Sequence, residues 1–456
     1  MKRLIVTLCI AATVLAACNP KLFSPVVEVP ERYLFADEFP QDSLPYGFRW
    51  WKLFDDPALD SLMELALANN RNLAAAASRV EQARLNLGIV RAQYLPQFGV
   101  GVSAGADYNA EQKIVQEYTI EPSLSWEISL FGALKHSERA AQAQILSTEW
   151  AFRGVLLSLT AEVATTYYTL LQYDRDLQIA RQSYELRRQS AALIDSMFRY
   201  GMSNGVALQQ ARSLVYSAAA DIPQYRRAVE QAQLSLNILL GQPPRRIAGQ
   251  SGGDSLIARF RPLEIPVGLP SDLLYRRPDV MQSYYDLQEA AARVGVARSA
   301  RFPSLSLTGK GGVVSSTVEG LGKGNPWAWS AAAALTEPIF AFGRLKRQEA
   351  SAREAYYQSV FAYEQAVLEA FSDVEDALVS ITTYTEQTER YRKLVDANEQ
   401  IALMTNTLYR SGMSAYLDVI DAERSLYESQ MEYSNLVAQQ YINYCLLYTS
   451  PSPRDS

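Results

Sequence analysis

The chain has 456 residues, 48% of them hydrophobic and 20% charged, with a formal net charge of −6 and a single histidine. An acidic balance without any basic stripe excludes nucleic acid as the natural partner. Cys9, Cys18 and Cys445 supply neither a disulfide framework nor zinc-ligand spacing.

Residues 1–17 read as a signal peptide, with Lys2 and Arg3 ahead of an apolar run from Leu4 to Ala17 and small residues at its end. Leu15-Ala16-Ala17-Cys18 resembles a bacterial lipobox, which implies that Cys18 becomes the lipidated first residue of the mature protein. Asn19 follows, in place of the Asp that retains some lipoproteins at the inner membrane. Cys9 leaves with the signal, so Cys445 is the one thiol left free. Residues 18–49 carry Pro20, Pro25, Pro30, Pro40 and Pro45, which block a helix and predict an extended, lipid-anchored tether. Past the signal no run of about 18 apolar residues occurs, so a membrane crossing would have to use strands.

The rest of the chain says one thing twice. Arg91 to Phe98 recurs as Arg298 to Leu305, Phe131-Gly-Ala-Leu-Lys135 as Phe342-Gly-Arg-Leu-Lys346, and Gly201-Met-Ser203 as Gly412-Met-Ser414. The offset of about 210 residues is too long for a solenoid unit and marks two copies of a large module. Copy one is expected over 50–241, with short helices at 50–96, strands at 97–131 and a long helical hairpin at 132–241. A Pro- and Gly-dense linker at 242–270 leads to copy two at 271–447, with helices at 271–303, strands at 304–341 and a hairpin at 342–447.

In copy one, Trp50-Trp51-Lys-Leu-Phe54-Asp-Asp-Pro57 opens a helix with Asp56 as N-cap and Pro57 at its first position. Pro96, and Pro303 in copy two, are expected to break helix into strand. From Tyr118 the residues alternate strictly: Tyr118, Ile120, Pro122, Leu124, Trp126 and Ile128 on one face, Thr119, Glu121, Ser123, Ser125 and Glu127 on the other. Such alternation suits a membrane strand of about 9 to 11 residues; a soluble sheet with one wet face has the same pattern. Phe98, Val100, Val102 and Ala104 form the preceding strand. Leu305 and Leu307, then Trp327, Trp329, Ala331, Ala333 and Leu335, are their counterparts in copy two.

No proline interrupts the chain between Pro122 and Pro223 or between Pro338 and Pro451. A helical run of nearly 70 residues measures about 100 Å, more than a globular core accommodates. Leu156, Leu159, Val163, Tyr167 and Leu170 in one copy, and Leu417, Ile420, Tyr427, Met431 and Ala438 in the other, step by three and four as supercoiled helices do. Gly201, Gly205 and Gly412 mark the hairpin-tip turns.

Arg276-Arg277-Pro278-Asp279 is read as local pairing, with Ser271 or Asp272 capping a short helix and Pro278 starting another. Glu369, Asp373 and Asp376 share a helix face and read as a solvated or pore-lining stripe rather than a metal site. His136, among Lys135, Ser137, Glu138 and Arg139, reads as a solvated surface residue. No nucleophile, base or phosphate loop accompanies it, so no enzyme, cofactor or metal is expected. The helical pattern fails after Asn443, and residues 448–456 read as a non-native tail.

These strings resemble the TolC-like outer-membrane efflux factors, in their lipoprotein (NodT-type) branch. The resemblance rests on the Trp50–Pro57 string, Leu95-Pro96 with Phe302-Pro303, and Leu269-Pro-Ser-Asp-Leu-Leu-Tyr-Arg-Arg-Pro-Asp-Val280, and it covers Cys18 to Leu447. The fold class it implies is all-α dominated with transmembrane β. That means an internally duplicated long α-helical barrel, plus four strands per chain of a twelve-stranded trimeric β-barrel. It implies a homotrimeric exit duct across periplasm and outer membrane, docking a periplasmic adaptor and an inner-membrane pump that carries most of the substrate selectivity. It also assigns Asp418 and Asp421 to a ring at the periplasmic mouth and Tyr409 to the network that holds the mouth shut. Copy one has Ala207 and Gln210 at the acidic positions, and Ser414 stands where some members have arginine. The competing reading is a lipid-anchored periplasmic coiled-coil scaffold or adhesin without a pore.

Overall fold

A computed structural model describes residues 22, 24–25, 29–30, 33–35, 49–109, 113–246, 275–322 and 327–449. The expected signal peptide, Cys18, most of the tether, the linker beyond residue 246, Ser271, Asp272 and the tail beyond residue 449 lie outside the described residues.

The helices are α1 (Pro57–Asn69), α2 (Arg71–Ala92), α3 (Ala133–Arg199), α4 (Gly205–Leu239), α5 (Pro278–Ser299), α6 (Arg344–Arg410) and α7 (Tyr416–Thr449). The strands are β1 (Gln97–Asn109), β2 (Lys113–Ile128), β3 (Ser304–Ser315) and β4 (Trp327–Thr336). α3 and α6 have 67 residues each, or about 100 Å at the α-helical rise. The chain divides into two units that each draw on both copies. One comprises Met1–Val27, Ala77–Ala151 and Asp279–Ala366, the other Glu28–Ala76, Phe152–Pro278 and Val367–Ser456.

The first unit holds one antiparallel sheet in the order β1-β2-β3-β4. Register fixes which side chains share a face. Ser123 of β2 pairs with Gly99 of β1 and Lys310 of β3, and Lys310 pairs with Ser330 of β4. On this polar face Lys310 Nζ meets Glu121 Oε1 at 3.1 Å and the Ser103 and Thr119 hydroxyls are 2.5 Å apart. The opposite face carries Phe98, Val100, Val102, Ile120, Trp327, Trp329 and Leu335, all exposed. At Gly312 the neighbouring strand comes so close that any Cβ would strike the Ile120 carbonyl, so only glycine fits.

Each strand pair is stapled at its base by a glutamate early in the following long helix. Glu138 accepts from Arg91 Nε at 2.9 Å and from the Tyr94 hydroxyl at 3.3 Å. Its counterpart Glu349 accepts from Arg301 at 2.6 Å and from Arg353 at 3.0 Å. The prolines act later than the sequence suggests. α2 ends at Ala92 and α5 at Ser299, turns follow, and Pro96 and Pro303 immediately precede β1 and β3. His136 is also not a solvated residue. Its ring lies half-buried on α5, where a Cβ at Gly295 would strike it. Burial, reinforced by Arg139 and Lys135, holds its pKa below the ordinary range.

In the second unit the Trp50–Phe54 turn and α1 form the centre of an aromatic core. Trp51, Leu59 and Met63 are fully buried with Tyr167, Tyr168, Leu236, Tyr441 and Cys445, each large side chain contributing about 1.5–3 kcal/mol. Asp56 Oδ1 caps α1 through the Ala58 and Leu59 amides, and Oδ2 accepts from the Tyr167 hydroxyl at 2.8 Å. Tyr168 and Tyr441 stack with centroids 4.5 Å apart.

Two expectations change here, at the end of α7 and at Asp373. α4 runs through Pro223, whose ring leaves the Ala219 carbonyl without its helical donor; buried Ala218, Ala232 and Leu236 hold the helix on either side. α7 continues past Asn443 to Thr449 because Tyr444 and Cys445 are buried. Arg277 reaches beyond its own segment: it is buried and its Nη2 meets Asp373 Oδ2 on α6 at 2.9 Å, while Nη1 donates to the Ala370 carbonyl at 3.4 Å. Asp373 is thereby part of an ion pair and not of a free acidic stripe.

Removing one member of a buried pair strands the other. Arg277→Ala is expected to destabilise the protein by about 3 kcal/mol, read as a lower thermal midpoint in detergent. A midpoint unchanged from the parent would refute this.

Candidate functional site

Both hairpin tips lie in the second unit. α3 and α6 end in the same geometry: Met202 N–H donates to the Met197 carbonyl and Met413 N–H to that of Leu408, while Gly201 and Gly412 donate to Phe198 and Tyr409. These are Schellman motifs, which need a left-handed residue after the helix. Gly201 has φ 75° and Gly412 φ 78°. Gly205 does not share that role, being the first residue of α4.

The two return helices are capped differently. Asn204 Oδ1 accepts from the Ala207 amide at 2.8 Å. In copy two Asp418 reaches backward instead, its Oδ2 accepting from the Ala415 amide at 3.0 Å and the Ser414 hydroxyl at 2.7 Å. A carboxylate at that end of a helix also meets the positive end of the macrodipole. Asp418 and Asp421 both lie exposed on α7, brought together on one helix.

Tyr409 faces elsewhere. It packs with Ile194, Leu208, Ala211, Tyr416, Val419 and Ile420 in the cluster that joins the two hairpins. Its hydroxyl points at Met197 Sδ, 3.6 Å away. Burial raises its phenol pKa, and pushes that of Tyr416 up to about 12.

Next to this cluster runs a polar latch that sequence reading missed. Arg187 of α3 is buried, its guanidinium 5.2 Å from the Tyr427 ring centre and its Nη1 donating to the Leu214 carbonyl. Glu423 accepts from the Ser190 hydroxyl at 3.1 Å, and the Tyr427 hydroxyl donates to Asp221 Oδ2 at 3.1 Å. α7 is thus fastened to α3 and α4 by polar groups taken out of water. Burial raises the Glu423 carboxyl, against the Ser190 hydroxyl and the Arg187 charge. Asp176, 4% exposed, keeps its Oδ1 without a hydrogen-bond partner. Burial pushes it up to about 7, against Ser434, Arg175 and Gln172. The one sequence signal was polar residues set into apolar helical stripes, Arg187 with Ser190 and Glu423 with Tyr427.

Among the described residues no three carboxylate, imidazole or thiol side chains converge as metal ligands do. What the arrangement offers is a pair of hairpins held together by apolar contacts and by buried polar side chains.

Because folding raises the Asp176 pKa, its contribution to stability is full below its unfolded value of ~4 and is lost as pH rises through about 7. The thermal midpoint is expected to fall across that window. Asp176→Asn should flatten this part of the profile; a variant profile parallel to the parent's would exclude the assignment.

Comparison with known proteins agrees with this architecture. The pattern of the outer membrane efflux protein family matches residues 62–242 and 269–450, one segment for each copy. The probable outer membrane lipoprotein SilC of Salmonella typhimurium is 31% identical over 450 residues, covering 96% of both chains. The cation efflux system protein CusC of Escherichia coli O6:H1 is 33% identical over 406 residues, 88% of this chain and 87% of CusC. The open-state crystal structure of the Neisseria gonorrhoeae MtrE outer membrane channel superposes with a TM-score of 0.81 at 28% identity, over 94% of this chain and 97% of MtrE. The chain belongs to the outer membrane efflux protein family.

Proposed function

We propose that this protein is the outer-membrane channel of a tripartite efflux or secretion system. Three copies close one twelve-stranded barrel over a helical tunnel, and the chain is anchored through lipid on Cys18. Its partners are a periplasmic adaptor and an inner-membrane pump, and its role is passive conduction.

The two-faced sheet carries this reading. One face is apolar and exposed in the single chain, the other polar, and the strands of 10 to 16 residues are long enough to cross a bilayer. Among the described residues the outer edges of β1 and β4 are unpaired. Four strands cannot close a barrel, for which eight is the usual minimum, and open edges are not tolerated in lipid. Cyclic repetition of the chain removes both edges at once. Among the described residues no helix is long and apolar enough to cross a membrane, so a crossing falls to the strands.

In this reading Asp418 and Asp421 from three chains ring the periplasmic mouth and select against anions. Tyr409 acts one layer behind, holding hairpin against hairpin. The lower mobility of a closed mouth comes from the latch around Arg187 and Glu423.

In planar bilayers, detergent-extracted trimers are expected to conduct, with cations preferred. The double variant Asp418→Asn, Asp421→Asn should lose most of that preference and raise resting conductance. Unchanged preference together with unchanged resting conductance would defeat the ring. A non-conducting, water-soluble product after removal of the lipid would instead favour a scaffold.

A further inference from the structure

The seam where copy one meets copy two is complete within one chain. β2 pairs with β3 so that Leu124 faces Gly309 and Tyr118 faces Ser315. At the base, Phe131 stacks on Phe302 with centroids 4.9 Å apart, and His136 occupies the space over Gly295.

The same parts recur at the outer ends of the sheet, without their contacts. Aligning Phe131-Gly132 with Phe342-Gly343, and Pro96 with Pro303, makes Phe342 and Arg347 the counterparts of Phe131 and His136. Leu95 and Gly88 become the counterparts of Phe302 and Gly295. Phe342 is 81% exposed and Leu95 66%, and nothing lies within 4 Å of a Cβ built on Gly88. An exposed glycine inside a helix costs about 1 kcal/mol relative to alanine, so Gly88 has a cost that the single chain does not offset. Phe342 also holds a left-handed φ of 48°, unfavourable for a bulky residue, and in the single chain its ring meets that of Phe340 with centroids 4.6 Å apart.

We propose that β4 of one copy pairs with β1 of the next in the register that the internal seam dictates. Leu335 lies opposite Val102 and Trp329 opposite Tyr108, with Phe342 over Leu95 and Arg347 seated on Gly88. This rests on the trimeric reading above and specifies the seam between its subunits. The mapping keeps strand polarity antiparallel, and it keeps all four strand residues on the apolar face; a shift by one residue would put one strand's set on the polar face. One bond does not carry over. Ser299 donates to the Phe131 carbonyl at 2.9 Å, whereas its counterpart is Ala92, and the Phe342 carbonyl already accepts from Arg347 at 3.2 Å.

The test uses the full chain in outer-membrane vesicles under mild oxidation. The pair Leu95→Cys, Phe342→Cys and the pair Val102→Cys, Leu335→Cys are each expected to give covalent dimers and trimers on non-reducing gels, with none from the single variants. Pairing Leu335→Cys with Val100→Cys or Ala104→Cys should not cross-link; if it does in place of Val102→Cys, the register is overturned. Gly88→Leu, whose Cβ would have nothing within 4 Å in the single chain, is expected to abolish heat-resistant trimers while leaving the helical circular dichroism of the extracted protein intact. Trimers of normal heat resistance in that variant would overturn the Arg347 seat. Conducting trimers that cross-link at neither pair would overturn this seam alone, whereas a parent chain that forms no oligomer would overturn the trimeric reading as well.

Discussion

In the proposed reading every backbone N–H and C=O of a strand in hydrocarbon needs a partner, and the four described strands leave two edges without one. That shortage organises the rest of the molecule. It explains why an apolar face bearing Trp327, Trp329, Phe98 and Val102 is exposed in the single chain. It also explains why the base of each strand pair is fastened by ionised groups, Arg91 to Glu138 and Arg301 to Glu349. In that reading a sheet that meets copies of itself edge to edge must reach them in a fixed orientation. Stapling each hairpin to the first turns of a helix of 67 residues provides that orientation.

Duplication lets one solution serve twice, and the two copies depart from each other at particular side chains. Both long helices end in the same left-handed glycine turn, yet one return helix begins with neutral Asn204 and the other with Asp418. The glutamate staples match in position, but Tyr94 and Gln142 partner one where Arg301 and Arg353 partner the other. Chemistry has diverged at both places while the backbone has not.

Much of this was legible in the residues because the signals were local. Asp56-Pro57 at a helix start, Gly-Met after each long helix and the alternation from Tyr118 to Ile128 each follow from the conformations those residues permit. What stayed hidden was long-range polar chemistry. Arg277 reads as one of a neighbouring pair of arginines until α6 brings Asp373 to it. Arg187, Glu423 and Asp176 resemble solvated helix residues, because burial of a charge depends on a neighbour far away in the chain. Pro223 lies inside α4, where packing on both sides outweighs one lost helical bond. A place for Asp418, Asp421 and Tyr409 at the mouth is an expectation from family likeness; the structure shows Asp418 capping α7 and Tyr409 facing the hairpin cluster.

Cys445 sits fully buried at the centre of the aromatic core, and burial raises its thiol pKa well above the ordinary range. Thiol–disulfide exchange needs an accessible thiolate, and burial of this sulfur removes the access and disfavours the ionisation. A protein of the outer membrane that extends into the oxidising periplasm can therefore keep this cysteine reduced. Its redox silence is a by-product of the same packing that holds α7 against α1.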